Sequence, residues 1–373
     1  MKPKKLSTQA QKVVNDASQN DFIDHILEFN PLDSSTSLET SSLQPQFLVP
    51  KEIPVIDWSL VNKKWTPKGK PLRKTPATTD KLPKADFLVV TWTVAEALAL
   101  SDALTPGFRS TEKWYKYRHN WTKKFKPMVH GLAPSLGADR LGSWFLSTIN
   151  NYTVICFKSE LHMCRDGKQM PVKELWKQLI DEVQPKLVIT TGTAGGIGKE
   201  IQLGDVIVSQ TVRFDCNKIF KTFPFKDEVF TCAKTVKKTQ IAAANKKLMD
   251  FTKAQLPIAS RSAKIIDKPV GGIKPIDVVT TDFFAFDDDT NDYKLQGLGS
   301  AVEMGDATLA LACKEIGASA PPWICIRNAS DPQITGGLTL KEKYDKAGRI
   351  YEKYGYWTTL NSAIACWAII NSN

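Results

Sequence analysis

Lys186–Gly198 reads KLVITTGTAGGIG, an apolar, β-branched run that dissolves into small residues. The first half, Lys186–Thr191, has the composition of a buried strand. The second, Thr190–Gly198 (TTGTAGGIG), lacks the side chains that would keep a ligand away from the backbone, so its amides can be approached closely. It is not a Walker loop, because Thr193 and Glu200 stand where that loop requires Gly and Ser or Thr. The dinucleotide pattern GxGxxG is absent as well. A strand ending in such a turn places a candidate site at the carboxyl end of a sheet, although taken alone it reads first as a tight structural turn.

Outward from this stretch the chain alternates strands and helices. Phe87–Thr93, Tyr152–Lys158, Asp205–Gln210, Val278–Phe284 and Trp323–Ala329 read as further strands. Val94–Leu104, Val172–Val183 and Ala307–Ile316 carry helical spacing, and a last helix from about Leu340 to Ile369 is expected to break near Gly355. Strands with continuous apolar runs, separated by helices, predict an α/β sandwich around a largely buried sheet.

Residues 1–85 differ. They hold nine of the 21 prolines and a single glycine, Gly69. After a helix over about Thr8–Phe29, this segment is expected to be an extended, partly disordered arm. The expected division is an N-terminal extension over 1–85 and a catalytic domain over 86–373, with an insertion around 105–151. No apolar run reaches the roughly 20 residues of a membrane span, and the basic start has no apolar segment behind it, so neither membrane nor secretion is expected. Seven cysteines without CxxC spacing fit a reducing, cytoplasmic setting. Four histidines form no metal-ligand pattern, so neither metal nor cofactor is expected. The net charge of +11 has a local excess in Lys113–Lys126, where Trp114, Tyr115, Tyr117 and Trp121 alternate with cations. Base stacking on single-stranded nucleic acid is one reading of it. A solvated amphipathic helix is the plainer one and leaves nucleic acid outside the expected partners. Attraction of an anionic small substrate is the third.

Four pieces in order, TTGTAGGI, LGDVIVSQ (Leu203–Gln210), VEM (Val302–Met304) and RNASD (Arg327–Asp331), resemble the purine nucleoside phosphorylase/uridine phosphorylase superfamily, most closely its methylthioadenosine/S-adenosylhomocysteine nucleosidase branch. The resemblance runs from about Asp86 to the C-terminus. It implies a three-layer sandwich with a central mixed, mostly parallel sheet flanked by helices, a homodimer, and cleavage of a purine N-glycosidic bond. Asp331 would then protonate the leaving base with Ser330 orienting it, because a purine anion is a poor leaving group and a carboxyl of raised pKa can supply the proton. Glu96 would activate water, with Thr193 and Arg327 helping to hold water and ribose. Phosphorylases of the superfamily carry a phosphate-holding Gly-Asp-Pro segment after the first strand, and none follows Phe87–Thr93 here. Phe284, then Phe283, are the candidates for stacking on the base. Ala194 and Gly195 on the glycine-rich strand, with Glu303 and Met304, complete the expected substrate contacts.

One departure bears on the sugar. Where the family reads V-E-M-E, with the last glutamate on the ribose, this chain reads Val302-Glu303-Met304-Gly305-Asp306. Either Asp306 substitutes or the sugar is held differently, and a modified or phosphorylated ribose stays open. The expectation is therefore a purine nucleosidase acting on an adenosine-type nucleoside or nucleotide derivative. A phosphate-dependent phosphorylase and a non-catalytic nucleoside-binding protein are the alternatives.

Overall fold

The structure is a computed structural model that describes residues 6–37, 56–131, 133–234, 236–255, 263–269 and 275–372. Its strands are β1 (Lys68–Gly69), β2 (Phe87–Thr91), β3 (Tyr115–Tyr117), β4 (Gly142–Ile149), β5 (Tyr152–Ser159), β6 (Leu187–Gly196) and β7 (Val206–Ser209). They continue with β8 (Thr211–Asp215), β9 (Val229–Thr231), β10 (Ile265–Ile266), β11 (Val278–Thr281), β12 (Ala301–Glu303) and β13 (Trp323–Asp331). The helices are α1 (Thr8–Asn15), α2 (Ser18–Glu28), α3 (Val94–Leu104), α4 (Pro134–Ala138), α5 (Pro171–Val183), α6 (Lys238–Gln255), α7 (Asp306–Ile316) and α8 (Leu340–Asn371).

One mixed sheet contains all thirteen strands. Its centre is parallel: β5 pairs with β2, β2 with β6, and β6 with β13. Antiparallel partners flank that centre, β4 on β5, β12 on β6 and β7 on β13. Successive strand residues face opposite sides, and the core divides accordingly. Phe87, Val89, Ile189, Ile324 and Ile326 pack with α3, α6 and α8. Leu88, Val90, Val188 and Cys325 pack with α5 and α7. The result is three layers, helices on both faces of a buried sheet, as the continuous apolar runs predicted.

Residues 6–37 of the N-terminal segment carry two helices. The expected single helix is two, because Asp16 leaves the helical region (φ −68°, ψ 133°) and its carboxylate accepts from the Ser18 amide, opening α2. Ser7 caps α1 by accepting from the Ala10 amide. Residues 38–55, where much of the extended arm was expected, lie outside the described residues. In the stretch expected as an insertion, β3 and β4 join the sheet edge.

Two expectations fail. Lys113–Lys126 is not a helix but β3 followed by one π-type turn and a short 3-10 turn. Its rings Trp114, Tyr117 and Trp121 are buried, and Tyr115 stacks on Phe145, so the aromatics serve the core and leave no stacking platform. Of its cations, Arg118 and Lys126 meet Asp139, while Lys124 meets Glu174. Nor does α8 break at Gly355. The helix runs on, with Thr339 and Glu342 forming a capping box at its start. A Cβ at 355 would lie 3.0 Å from the Tyr351 ring, so any larger residue there would require that ring to shift. The roughly 1 kcal/mol that glycine costs a helix interior is accepted to seat that ring.

Candidate active site

Strand ends and two helix starts converge on one pocket. Its wall includes Thr193, Ala194 and Gly195 of β6, Glu303, Met304 and Gly305 after β12, and Arg327, Ser330 and Asp331 of β13. Glu96 of α3, Trp92, His162, Phe284 and Tyr351 close it further, and Ile26 and Leu27 of α2 form an apolar part of the wall. The cavity is about 60 Å³.

Glu96 sits at the third position of α3. Thr93 caps that helix by accepting from the Glu96 amide, and the Glu96 carboxylate accepts from Thr93 N. The residue thus has an ordinary capping role, but its carboxylate does more. Oε2 also accepts from Thr91 Oγ1 at 2.6 Å and Trp92 N at 3.1 Å. Oε1 accepts from both the amide and the hydroxyl of Thr193 at 2.7 Å. Gly192 makes that approach possible, since a Cβ there would stand 2.4 Å from Oε1. Burial pushes the Glu96 pKa up, but Arg327 and the donors of Thr91, Thr93 and Thr193 outweigh it and hold it below the ordinary range. The group is a stable buried anion.

Asp331 is the opposite case. It is buried, no cation opposes the burial, and the hydroxyl of Ser330 donates to its Oδ1 at 2.8 Å. Burial pushes its pKa up to about 7, against the smaller downward pull of that bond. Its Oδ2 lies over Gly195, 3.0 Å from where a Cβ would be. Glu96 touches Thr193 and Asp331 touches Gly195, two residues along one strand, which spaces the contacts by roughly 7 Å. A neutral acid and an anion therefore border the same small cavity.

Arg327 is 2% exposed in the middle of an apolar strand. Its Nε donates to Asp306 Oδ2 at 2.9 Å and its Nη2 to Asp306 Oδ1 at 2.5 Å and Glu303 Oε2 at 3.3 Å. Its guanidinium lies 4.9 Å from the Trp92 ring centre. Burial, then the neighbouring Asp306, push the Glu303 pKa up, while Arg327 opposes the rise. One cation thus serves three carboxyl groups, counting Glu96.

Of the residues expected at the site, Asp331, Glu96, Arg327, Thr193, Ala194, Gly195, Phe284, Glu303, Met304 and Ser330 all line the pocket. Phe283 does not: it is fully buried and packs against Tyr293. Asp306 does not either, because its carboxylate is turned to the Arg327 fork. Phe284 is half-buried at the pocket, braced edge-on by Phe22 at 4.9 Å. Trp92 and His162 were missed. Both follow a strand's carboxyl end, the position that exposes ligand contacts in α/β sheets, and that signal was available. Burial depresses the His162 pKa to about 4, so its imidazole is neutral near pH 7. Ile26 and Leu27 carry no sequence signal, because only the docking of α2 brings them here. Asp24 pairs with Arg165, 2.7 Å at one arm, and Tyr351 donates to Ile26 O at 3.0 Å and Thr93 Oγ1 at 2.9 Å.

Among the described residues no group of three or more His, Cys, Asp or Glu side chains is arranged to hold a metal, and no helix is long and apolar enough to cross a membrane.

The phosphorylase superfamily model matches residues 175–353. Among solved structures, the chain is similar to a 5'-methylthioadenosine/S-adenosylhomocysteine nucleosidase from Colwellia psychrerythraea 34H in complex with adenine. The identity is 17% and the TM-score 0.50, over 78% of this chain and 97% of that one. The corresponding enzyme of Neisseria meningitidis, in complex with methylthio-immucillin-A, gives 17% and 0.48 over 77% and 99%. Futalosine hydrolase of Helicobacter pylori strain 26695 gives 14% and 0.46 over 77% and 97%. At such identities the likeness is one of fold. The family match spans 179 of the 373 residues, so over 175–353 the chain is similar to the phosphorylase superfamily, and the three-layer sandwich agrees with that likeness.

Proposed function

We propose that this protein hydrolyses the N-glycosidic bond of a neutral purine nucleoside of the adenosine type. The observation that carries the reading is the pairing of a protonated carboxyl, Asp331, with a buried anion, Glu96, on one small pocket. Asp331 donates its proton to the departing base, which Phe284 holds by its ring face. As the bond lengthens, positive charge develops on the sugar, and the fixed Glu96 carboxylate favours it electrostatically. Water attacks beside Thr193. Because the Thr193 hydroxyl donates to Glu96, its lone pairs accept from the water, so the proton leaves through Thr193 towards Glu96. That route spares Glu96 a direct contact, since its two oxygens already accept five hydrogen bonds.

Charge argues for water over phosphate. Among the described lining residues Arg327 is the only Lys or Arg, and its donors face Asp306 and Glu303. A phosphate, whether as nucleophile or on a nucleotide, would meet Glu96 and Glu303 with no unpaired cation. A panel of nucleosides and nucleotides in phosphate-free buffer, with released base followed by chromatography, tests this. Release of free base from the nucleosides is expected, and release that requires phosphate would refute it.

A cytoplasmic setting, a homodimer and the division at residue 85 belong to the same proposal. All seven cysteines are buried and free, which suits reducing conditions. Closed twofold dimers are the commonest soluble oligomers, and light scattering of the full chain decides that point.

A further inference from the structure

His162 lines the pocket, yet the proposed chemistry gives it no task. It is 5% exposed and begins the tight turn that follows β5. That turn is fixed from several sides. The His162 carbonyl accepts from the amides of Arg165 and Asp166, both at 3.0 Å. The Asp166 carboxylate accepts from the His162 amide at 2.5 Å, and Arg165 holds Asp24 of α2 at 2.7 Å. The imidazole therefore stands on a backbone with little freedom, as a group that positions a ligand should.

One contact settles the tautomer. Nδ1 lies 3.4 Å from the Cys164 amide nitrogen. A backbone N–H can only donate, so Nδ1 presents its lone pair. Burial keeps the ring neutral near pH 7; Glu96 opposes it, while Arg165, Arg327 and Lys158 reinforce it. The single ring proton is then on Nε2. Among the described residues the ring's one hydrogen bond is that at Nδ1, so no acceptor meets the Nε2–H. Glu96 has little room for it, since its oxygens already accept five bonds against about four lone-pair sites. Trp92, which lines the same pocket, adds a second N–H that is buried without a partner. Buried donors left unpaired are costly and need a reason; an acceptor brought by a ligand is one.

That acceptor is uncharged. Glu96 and Arg327 are among the charges acting on His162, which places the ring at the Glu96 end of the pocket, and the Glu96 anion would repel an anionic group there. In the proposed chemistry the base lies at the other end, beside Asp331. What faces His162 is then the sugar, and the good neutral acceptors of a sugar are its hydroxyl oxygens. We propose that His162 is a substrate-binding residue that donates from Nε2 to one hydroxyl oxygen of the sugar and so selects for that hydroxyl. The inference rests on the nucleosidase reading above and names a specificity-determining residue for it. A site built to bond a hydroxyl rejects the analogue lacking it, because its buried donor is then left unpaired. A leucine at 162 would fill similar space without that discrimination, whereas a glutamine would still offer an N–H.

The test uses the full chain with adenosine and its 2′-, 3′- and 5′-deoxy analogues, and base release gives kcat/KM for each. Selectivity is the ratio of adenosine to the deoxy compound within one variant, so a general loss of activity cancels. In His162→Leu the selectivity against one analogue should fall by about 10-fold, while the other two stay within about threefold of the unaltered chain. His162→Gln should keep most of the selectivity that His162→Leu loses. Selectivities unchanged for all three analogues, or changed equally for all three, overturn the inference and leave the nucleosidase reading intact. A binding measurement with His162 in place covers a variant that fails to fold. Quenching of tryptophan fluorescence in Asp331→Asn should show one deoxy analogue binding about 10-fold more weakly than adenosine, and equal Kd values for all four overturn the inference. Binding of none of the four by Asp331→Asn, together with no base release by the unaltered chain, overturns both readings.

Discussion

Asp331→Asn separates the chemistry of the site from its cost to the fold. The carboxyl rises from an ordinary value of 3.8 to about 7 because burial penalises the anion and nothing cationic compensates. The sign follows from linkage. A carboxyl that holds its proton more tightly when folded loses stability for the protein as pH rises from its unfolded value through its folded one. At about 1.4 kcal/mol per pH unit, the ionised form carries a penalty of about 4 kcal/mol by pH 8. At pH 5 the penalty is already about 2 kcal/mol, because the unfolded chain has released the proton while the folded one retains it. Asparagine mimics the neutral acid and escapes this term. Relative to the unaltered protein, Asp331→Asn should therefore gain about 2–3 kcal/mol of stability between pH 5 and pH 8, while base release falls by about 10²–10⁴. Urea denaturation at both pH values measures the first quantity and chromatography the second. Any constant offset from the amide cancels in the difference. A stability gap independent of pH would refute the claim that burial keeps this carboxyl protonated. In the unaltered protein the proposed kcat/KM should fall as pH rises through about 7, as the acid form is lost.

Three further outcomes follow from the site. Glu96→Gln turns an amide N–H₂ toward donors on either side, of Thr193 or of Thr91, Trp92 and Thr93; it should cost about 1–3 kcal/mol of stability and about 10²-fold or more in turnover, with adenine binding by titration calorimetry unchanged. Arg327→Met strands Glu303 and Asp306 in the interior and should destabilise by about 3–5 kcal/mol. Because protonation relieves the stranded Glu303, whose pKa is already raised, denaturation of that variant should show a smaller loss at pH 5 than at pH 8. Asp24→Ala cuts the pair that ties α2 to Arg165. The cavity is about 60 Å³ and Ile26 and Leu27 of α2 form part of its wall; with α2 freed to move aside, stopped-flow fluorescence should show faster binding and faster release in this variant.

How much of this was legible beforehand depends on how local the cause is. Val94–Leu104 was readable as a helix to the residue, because the stop of an apolar strand, a Thr cap and a Glu three positions on are all local signals. The runs in β2, β6 and β13 were equally plain, since a strand buried on both faces must be apolar throughout. Gly355 misled for the complementary reason. Glycine weakens a helix by its own propensity, and only the Tyr351 ring packed against it shows why the helix continues. The aromatics of Lys113–Lys126 could have faced bases or the core, and their spacing alone does not distinguish the two.

The sequence by itself was enough to single out Asp331, Glu96 and Arg327 as candidates, and the fold brings all three to one pocket. The sequence could not decide what those groups would be. Asp331 is an acid near neutral pH because the folded chain buries it away from any cation, whereas Glu96 stays an anion because five donors and Arg327 surround it. The same holds for Gly305, which read as a missing carboxylate until the indole of Trp92, 213 residues earlier in the chain, was found against it. Desolvation, charge pairing and steric exclusion act through space between residues far apart in sequence, so only the tertiary structure could settle them.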